Sequence, residues 1–234
     1  NGDGIVFHPT ANYVQYYGMA NGLPLDDPES GWTNTQPWKD RDPRFYNDII
    51  YDGLKLVEGT MEKAEEVWRY AALHTGGQHR QDPSKHSRTG YLTTKFLPQF
   101  ANRWDKNEYG WTNAVNIHVT LLRLADVYLM YAEAAAQADK ANAGNAKFNF
   151  SKTAAEAVNV IRDRAGVGHV ADKYVNNLDG FMSELRRERA VELAFEGHRF
   201  TDLRRWLLLT RAPYNVKTAV FFDRDGELNV EADP

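Results

Sequence analysis

Apolar positions along this chain change rhythm near residue 120. From there, Leu121, Leu124, Ala125, Tyr128 and Ala132 recur at three- and four-residue spacing and predict a helix with one buried stripe. Alanines at 132, 134, 135 and 136 leave room for a second helix to come close. After a polar loop, Thr153-x-x-Glu156 has the form of a capping box. It opens a helix that turns Ala154, Val158, Ile161 and Ala165 inward and stops at Gly166. The two helices predict an antiparallel hairpin, the unit from which tetratricopeptide-type repeats are built, although one hairpin makes no visible repeat.

Before residue 120, clusters of Gly, Pro, Asn and Asp interrupt the pattern. A short helix is expected after Thr10, closed by Gly22. Met61, Ala64, Trp68 and Ala71 predict another, kept short by Gly59-Thr60 and Gly76-Gly77. Near the end, Asp225-Gly226 between two alternating runs predicts a β-hairpin. The expected fold class is mainly α: tetratricopeptide-like helical hairpins packed with a loop-rich segment and a minor β-hairpin. The expected division is a loop-rich segment, 1–120, bearing candidate ligand loops, and a helical core, 121–234.

The stretch Glu188–Trp206, ERAVELAFEGHRFTDLRRW, adds an ionic arrangement that packing alone does not demand. As a helix it sets Glu188, Glu192 and Glu196 one turn apart, beside an apolar face of Val191, Ala194 and Phe195, before Gly197 breaks it. In a second short helix, Asp202 is expected to cap the first turn while Leu203, Trp206 and Leu207 pack back, with Trp206 in the core. Arg186, Arg187, Arg189, Arg199, Arg204 and Arg205 supply guanidinium groups to fork onto these carboxylates. Glu188, Arg189, Glu192, Glu196, Arg199, Asp202 and Arg205 are therefore read as a structural ionic corner. Catalysis is disfavoured there: carboxylates on one helix face point the same way rather than across a cleft, and nearby arginines lower carboxyl pKa values, the wrong direction for a general acid.

The same stretch resembles the signature of the SusD/RagB family, glycan-binding outer-membrane lipoproteins of Bacteroidetes-type bacteria. RLADVYLMYAEA at Arg123–Ala134, AVNVIRDRAGV at Ala157–Val167, RDPRF at Arg41–Phe45 and TGYLTTKF at Thr89–Phe96 are similar to further family segments in the usual order. One departure is Thr201, where members commonly carry a large aromatic residue, which implies looser packing of the helix corner. The resemblance covers nearly the whole chain but only the C-terminal half or so of a typical member. The chain is accordingly expected to be a fragment, with the lipidated cysteine and further helices outside it and Pro234 not the natural terminus. The resemblance implies a cell-surface protein, lipid-anchored in the outer membrane, that captures oligo- or polysaccharide and delivers it to a SusC-like TonB-dependent transporter.

Composition narrows the remaining classes. The 234 residues, 42% hydrophobic and 26% charged, suffice for a substantial core. A net charge of −4, without a dense Lys/Arg run, disfavours nucleic acid. Absence of cysteine removes thiolate chemistry. Leu121–Ala138 carries Arg123, Asp126 and Glu133, which make it a poor membrane span, so membrane attachment is expected only through a lipid anchor outside this sequence.

Sugars stack their C–H faces on aromatic rings and offer hydroxyls to polar side chains. The loop Phe100–Trp111 has that composition, with Trp104, Tyr109 and Trp111 among Asn102, Arg103 and Asp105. Trp32, in GWTNTQPW, and Trp68 are further candidates, while Trp38, beside RDPRF, is read as structural. His74, His79 and His86 share a Gly-rich charged loop without metal-ligand spacing and are read as solvated. Asp223-x-Asp225-Gly226-Glu227 lacks the further ligands of a calcium loop and is read as a turn. No cofactor, metal or catalytic residue is expected. Besides non-catalytic glycan capture, two alternatives stay open: a helical-repeat scaffold whose ligand is protein, and a glycoside hydrolase.

Overall fold

The structure is a computed structural model that describes residues 8–96, 104–105, 120–139 and 152–224. It is mainly helical, in two compact units. One comprises Asn1–Val14, Asn47–Val119 and Lys217–Pro234, the other Gln15–Tyr46 and Thr120–Val216. Segment Gln15–Tyr46, from the expected loop-rich part, thus belongs to the helical unit.

In the helical unit, the long elements are α3 (Leu124–Asp139), α4 (Ala154–Ala165) and α6 (Leu178–Glu192), with short α5 (Asp172–Val175) and α7 (His198–Arg205); α2 (Pro43–Asp48) begins there. The core interleaves Leu129, Ala132 and Ala136 of α3 with Ala157, Val158 and Ile161 of α4 and Phe181 and Leu185 of α6. Small alanines on α3 let both neighbours approach.

The buried face of α3 is rotated from the expected stripe. Leu121 and Leu124 are 90% and 67% exposed, while Ala125, Leu129, Ala132 and Ala136 are buried. The helix starts only at Leu124, so Leu121 lies before it, and the face that packs is the one bearing the small side chains. At α4 the local reading holds. Thr153 Oγ1 accepts the Glu156 amide at 3.2 Å, Glu156 Oε2 accepts the Thr153 amide at 2.7 Å, and Gly166 ends the helix in the left-handed region at φ 71°. Ala154, Val158 and Ile161 are buried, whereas Ala165 is half-buried.

The other unit is built mostly from turns around α1 (Ala11–Val14) and a two-stranded antiparallel sheet, β1 (Ile49–Ile50) with β2 (Leu92–Thr93), in register Ile49 to Thr93 and Ile50 to Leu92. The helix expected after Thr10 is one turn long; Gly22 closes a later turn, through Met19 N to Leu23 O, rather than a helix. The helix expected from Met61 to Ala71 is absent except for a 3-10 turn at Glu66–Trp68. Ala64 and Val67 face solvent, and the backbone pairs instead with the preceding stretch, through Leu56 N to Arg69 O and Ala71 N to Leu54 O. Met61 and Ala71 of the expected face are buried all the same, so backbone pairing with the preceding stretch takes the place of the helix. The turn expected at Asp225-Gly226 lies outside the described residues.

Candidate functional site

Helix α6 presents Glu184, Glu188 and Glu192 at four-residue intervals, hence on one face. All three are buried, so each charge requires a partner. Glu188, 1% exposed, accepts from Arg44 Nη1 at 2.6 Å and Arg162 Nε at 2.8 Å. Arg162 is fully buried; its Nη2 reaches Glu184 at 2.9 Å and its Nη1 the carbonyls of Gly22 and Gly168, each at 3.3 Å. Arg187 forks onto Glu184 at 2.9 and 2.6 Å and also donates to the Gly22 carbonyl. Glu192 gathers Arg44, Arg123 and Arg164, and Arg123 forks onto Glu196 at 2.8 and 2.7 Å.

A second branch runs from Arg189, whose Nε meets Asp202 and whose Nη1 meets Asp126, each at 2.8 Å. Arg205 donates to Asp202 at 2.9 Å and forks onto Glu133, which also accepts the Trp206 indole N–H at 2.8 Å. The glutamate partners therefore come mainly from other segments: RDPRF provides Arg44, RLADVYLMYAEA provides Arg123, and AVNVIRDRAGV provides Arg162 and Arg164. The expected donors Arg187, Arg189 and Arg205 do engage carboxylates. Arg199 instead lies over the Tyr16 and Tyr214 rings, 4.7 and 5.5 Å from their centroids.

Details of the corner differ from the sequence expectation. Helix α6 ends at Glu192, so Phe195 and Glu196 lie beyond it, Phe195 at φ 63°. Gly197, at φ 85°, precedes α7, and Asp202 sits inside α7 rather than capping it. Its carboxylate is drawn to Arg189 and Arg205 instead of the orphan amides. Trp206 is half-buried, with Arg205 4.4 Å from its ring centroid and its N–H held by Glu133, and Leu207 is 75% exposed. Of the three expected inward residues only Leu203 is buried. Thr201 is exposed, on the wall of an open cleft of about 510 Å³ between α3 and α7 that Met130, Ala134, Gln137 and His198 also line.

Burial alone would raise the carboxyl pKa values, but the arginines outweigh it. Glu188 is pulled down to about 2 by Arg44 and Arg162. Glu184 and Glu192 are also lowered against their burial, by Arg187 and Arg162 and by Arg164 and Arg123 respectively. Carboxylates held ionised and engaged in ion pairs fix the packing of four chain segments; they are poor proton donors.

The candidate ligand rings fall elsewhere. Trp32 is half-buried, its N–H bonded to the Pro37 carbonyl at 3.3 Å, while Thr33, Asn34, Thr35 and Gln36 are exposed around it. Trp104 is half-buried and donates to Glu65 Oε2 at 2.7 Å; Asp105 accepts the Gly59 amide. Asn102, Arg103, Tyr109 and Trp111 lie outside the described residues. Trp68 is half-buried with the His79 and His86 rings edge-on to it, at centroid distances of 5.3 and 6.3 Å. These histidines are thus not simply solvated: both rings also accept backbone amides. Among the described residues no group of three or more His, Asp or Glu is placed to hold a metal ion, and no helix is long and apolar enough to cross a membrane.

The helical unit is locked by arginine–carboxylate pairs between segments distant in sequence. The SusD family model matches residues 1–233, and the chain belongs to that family. Among solved structures it is similar to a SusD-like carbohydrate binding protein from Bacteroides fragilis NCTC 9343, at 26% identity and TM-score 0.57, covering 85% of this chain and 35% of that one. A SusD-like protein from the same strain shares 24% identity at TM-score 0.59, over 86% of this chain and 36% of the other. A SusD superfamily protein from Bacteroides vulgatus ATCC 8482 shares 20% identity at TM-score 0.51, over 86% and 34%. The chain thus spans about a third of the length of these solved relatives. No curated protein matches it.

Proposed function

We propose that this chain is part of a cell-surface protein that binds an oligo- or polysaccharide without turning it over and delivers it to a SusC-like TonB-dependent transporter. On this reading the protein is held at the outer membrane by a lipid anchor outside this sequence. The family match over residues 1–233 carries the proposal. A solved relative described as carbohydrate binding supports it.

The Trp32 loop and the loop bearing Trp104, Asp105, Tyr109, Trp111, Asn102 and Arg103 are the proposed glycan contacts, with Trp68 as a third ring. A half-buried ring pinned by its N–H, ringed by exposed hydroxyls and amides as at Trp32, suits stacking under a sugar. Calorimetry on Trp32→Ala and Trp104→Ala tests this. A stacked ring costs about 1–3 kcal/mol when removed, a scale borrowed from base–aromatic stacking. Unchanged isotherms for both would remove these rings from the site.

One observation favours the second reading, a helical-repeat scaffold whose ligand is protein. Leu124, Val127 and Met130 leave an exposed apolar face on α3, at 67%, 43% and 45% exposure. Silence on every glycan, together with a protein partner lost in Val127→Asp, would favour it over glycan capture.

A further inference from the structure

Three histidines in the loop-rich unit make the same contact. Ala72 N donates to His79 Nδ1 at 3.1 Å, Asp82 N to His86 Nδ1 at 3.2 Å, and Arg88 N to His8 Nδ1 at 3.2 Å. An imidazole nitrogen accepts a hydrogen bond only while it carries no proton. We propose that His8 and His79 form an acid-sensitive clasp, holding the segment from Ala72 to Arg88 closed while neutral and releasing it when protonated. The inference stands independently of the glycan reading.

The surroundings give a protonated ring little help. His79 and His86 flank the same Trp68 ring, and the neighbouring imidazole disfavours a charge on His79. The carboxylate facing His79 is Asp52, already engaged by the Leu73 amide at 2.6 Å, the His74 amide at 3.2 Å and Arg224 Nε at 2.8 Å. His8 faces Arg88, and its Nε2 is buried without a hydrogen-bond partner among the described residues.

Burial first, then the neighbouring cation or imidazole, lowers the pKa of His8 and of His79 below the ordinary 6.5. The sign follows from linkage. A histidine whose pKa is lowered on folding contributes fully above about 6.5, where the open chain is also neutral, and loses that contribution as pH falls from there towards the folded value. Backbone bonds within the segment, such as Arg80 N to Gly77 O and Ser87 N to His79 O, do not titrate. Release is therefore a loosening at two points, and at His79 it frees an edge contact of Trp68.

Residue-resolved amide hydrogen exchange at pH 7.4 and 5.5, corrected for intrinsic rates, tests the clasp. Protection at Ala72 and Arg88 is expected to fall about fivefold or more at pH 5.5, the factor for one lost hydrogen bond, while amides of α3 and α6 hold. The His8→Asn, His79→Asn variant places a non-titrating carbonyl oxygen near each Nδ1 position and is expected to keep protection at both pH values. Unchanged wild-type protection, or an equal acid loss in the variant, would overturn the proposal. Should the double variant fail to fold, NMR titration of the wild-type His79 imidazole decides: half-protonation below pH 6.5 supports the clasp, and at or above 6.5 it sinks it.

Discussion

Replacing Glu188 by Gln tests the ionic corner most sharply, because glutamine keeps the shape of the side chain and removes only its charge. Glu188 is 1% exposed and bridges Arg44 and Arg162, the latter wholly buried. Folding lowers its pKa from the ordinary 4.5 to about 2. At about 1.4 kcal/mol per pH unit, the ionised carboxylate contributes about 3 kcal/mol more to folding than its neutral form. That agrees with the 3–5 kcal/mol typical of breaking a buried pair on one side. The contribution is complete above about 4.5 and disappears as pH falls towards 2. Urea unfolding followed by far-UV circular dichroism at a series of pH values is the assay. At pH 7 Glu188→Gln is expected to lose about 3 kcal/mol, and the gap to wild type should close on approach to pH 2. A loss under 1 kcal/mol at pH 7, or a gap that persists at low pH, would refute the reasoning.

Thr153→Ala deletes the side chain that caps α4 and is expected to cost about 1 kcal/mol in the same unfolding assay. Gly168→Ala drives a Cβ against the Asn21 carbonyl and the Gly22 amide, at the turn whose carbonyl Arg162 and Arg187 share; a loss of roughly 1–3 kcal/mol is expected. Glu192→Ala leaves Arg123, Arg164 and Arg44 without a common acceptor and should lower the melting temperature, whereas an unchanged melt would mean that this end of the corner is solvated.

Features written within a few residues were legible in the sequence. The capping box needs only Thr153 and Glu156, the helix stop only Gly166, and both are where the pattern put them. Of the expected glutamate face, Glu188 and Glu192 lie on α6, while Glu196 lies beyond its end and Glu184, one turn earlier, was not read. The partners of these glutamates were not legible: Arg44 lies 144 residues from Glu188, Arg123 lies 69 from Glu192, and Arg162 lies 26 from Glu188. The signal that would have found them was present, since each arginine sits in one of the segments that resemble the family. The helix expected at Met61–Ala71 failed although Met61 and Ala71 are buried, because spacing says which residues share a face but not which partner the backbone will bond. Ala64 and Val67 are exposed and the backbone bonds across to Leu54 and Leu56. Leu207 was expected inside from its i, i+4 spacing to Leu203, yet the chain has already left α7 there, at φ 57°.

Glycan capture without turnover is the central claim, and a polysaccharide panel tests it directly, with retention of the protein and release of reducing ends followed in the same samples. Retention on at least one glycan with no release is the expected result. Release of reducing sugar, abolished by removing two facing carboxylates, would contradict the account, as would the absence of retention on every glycan.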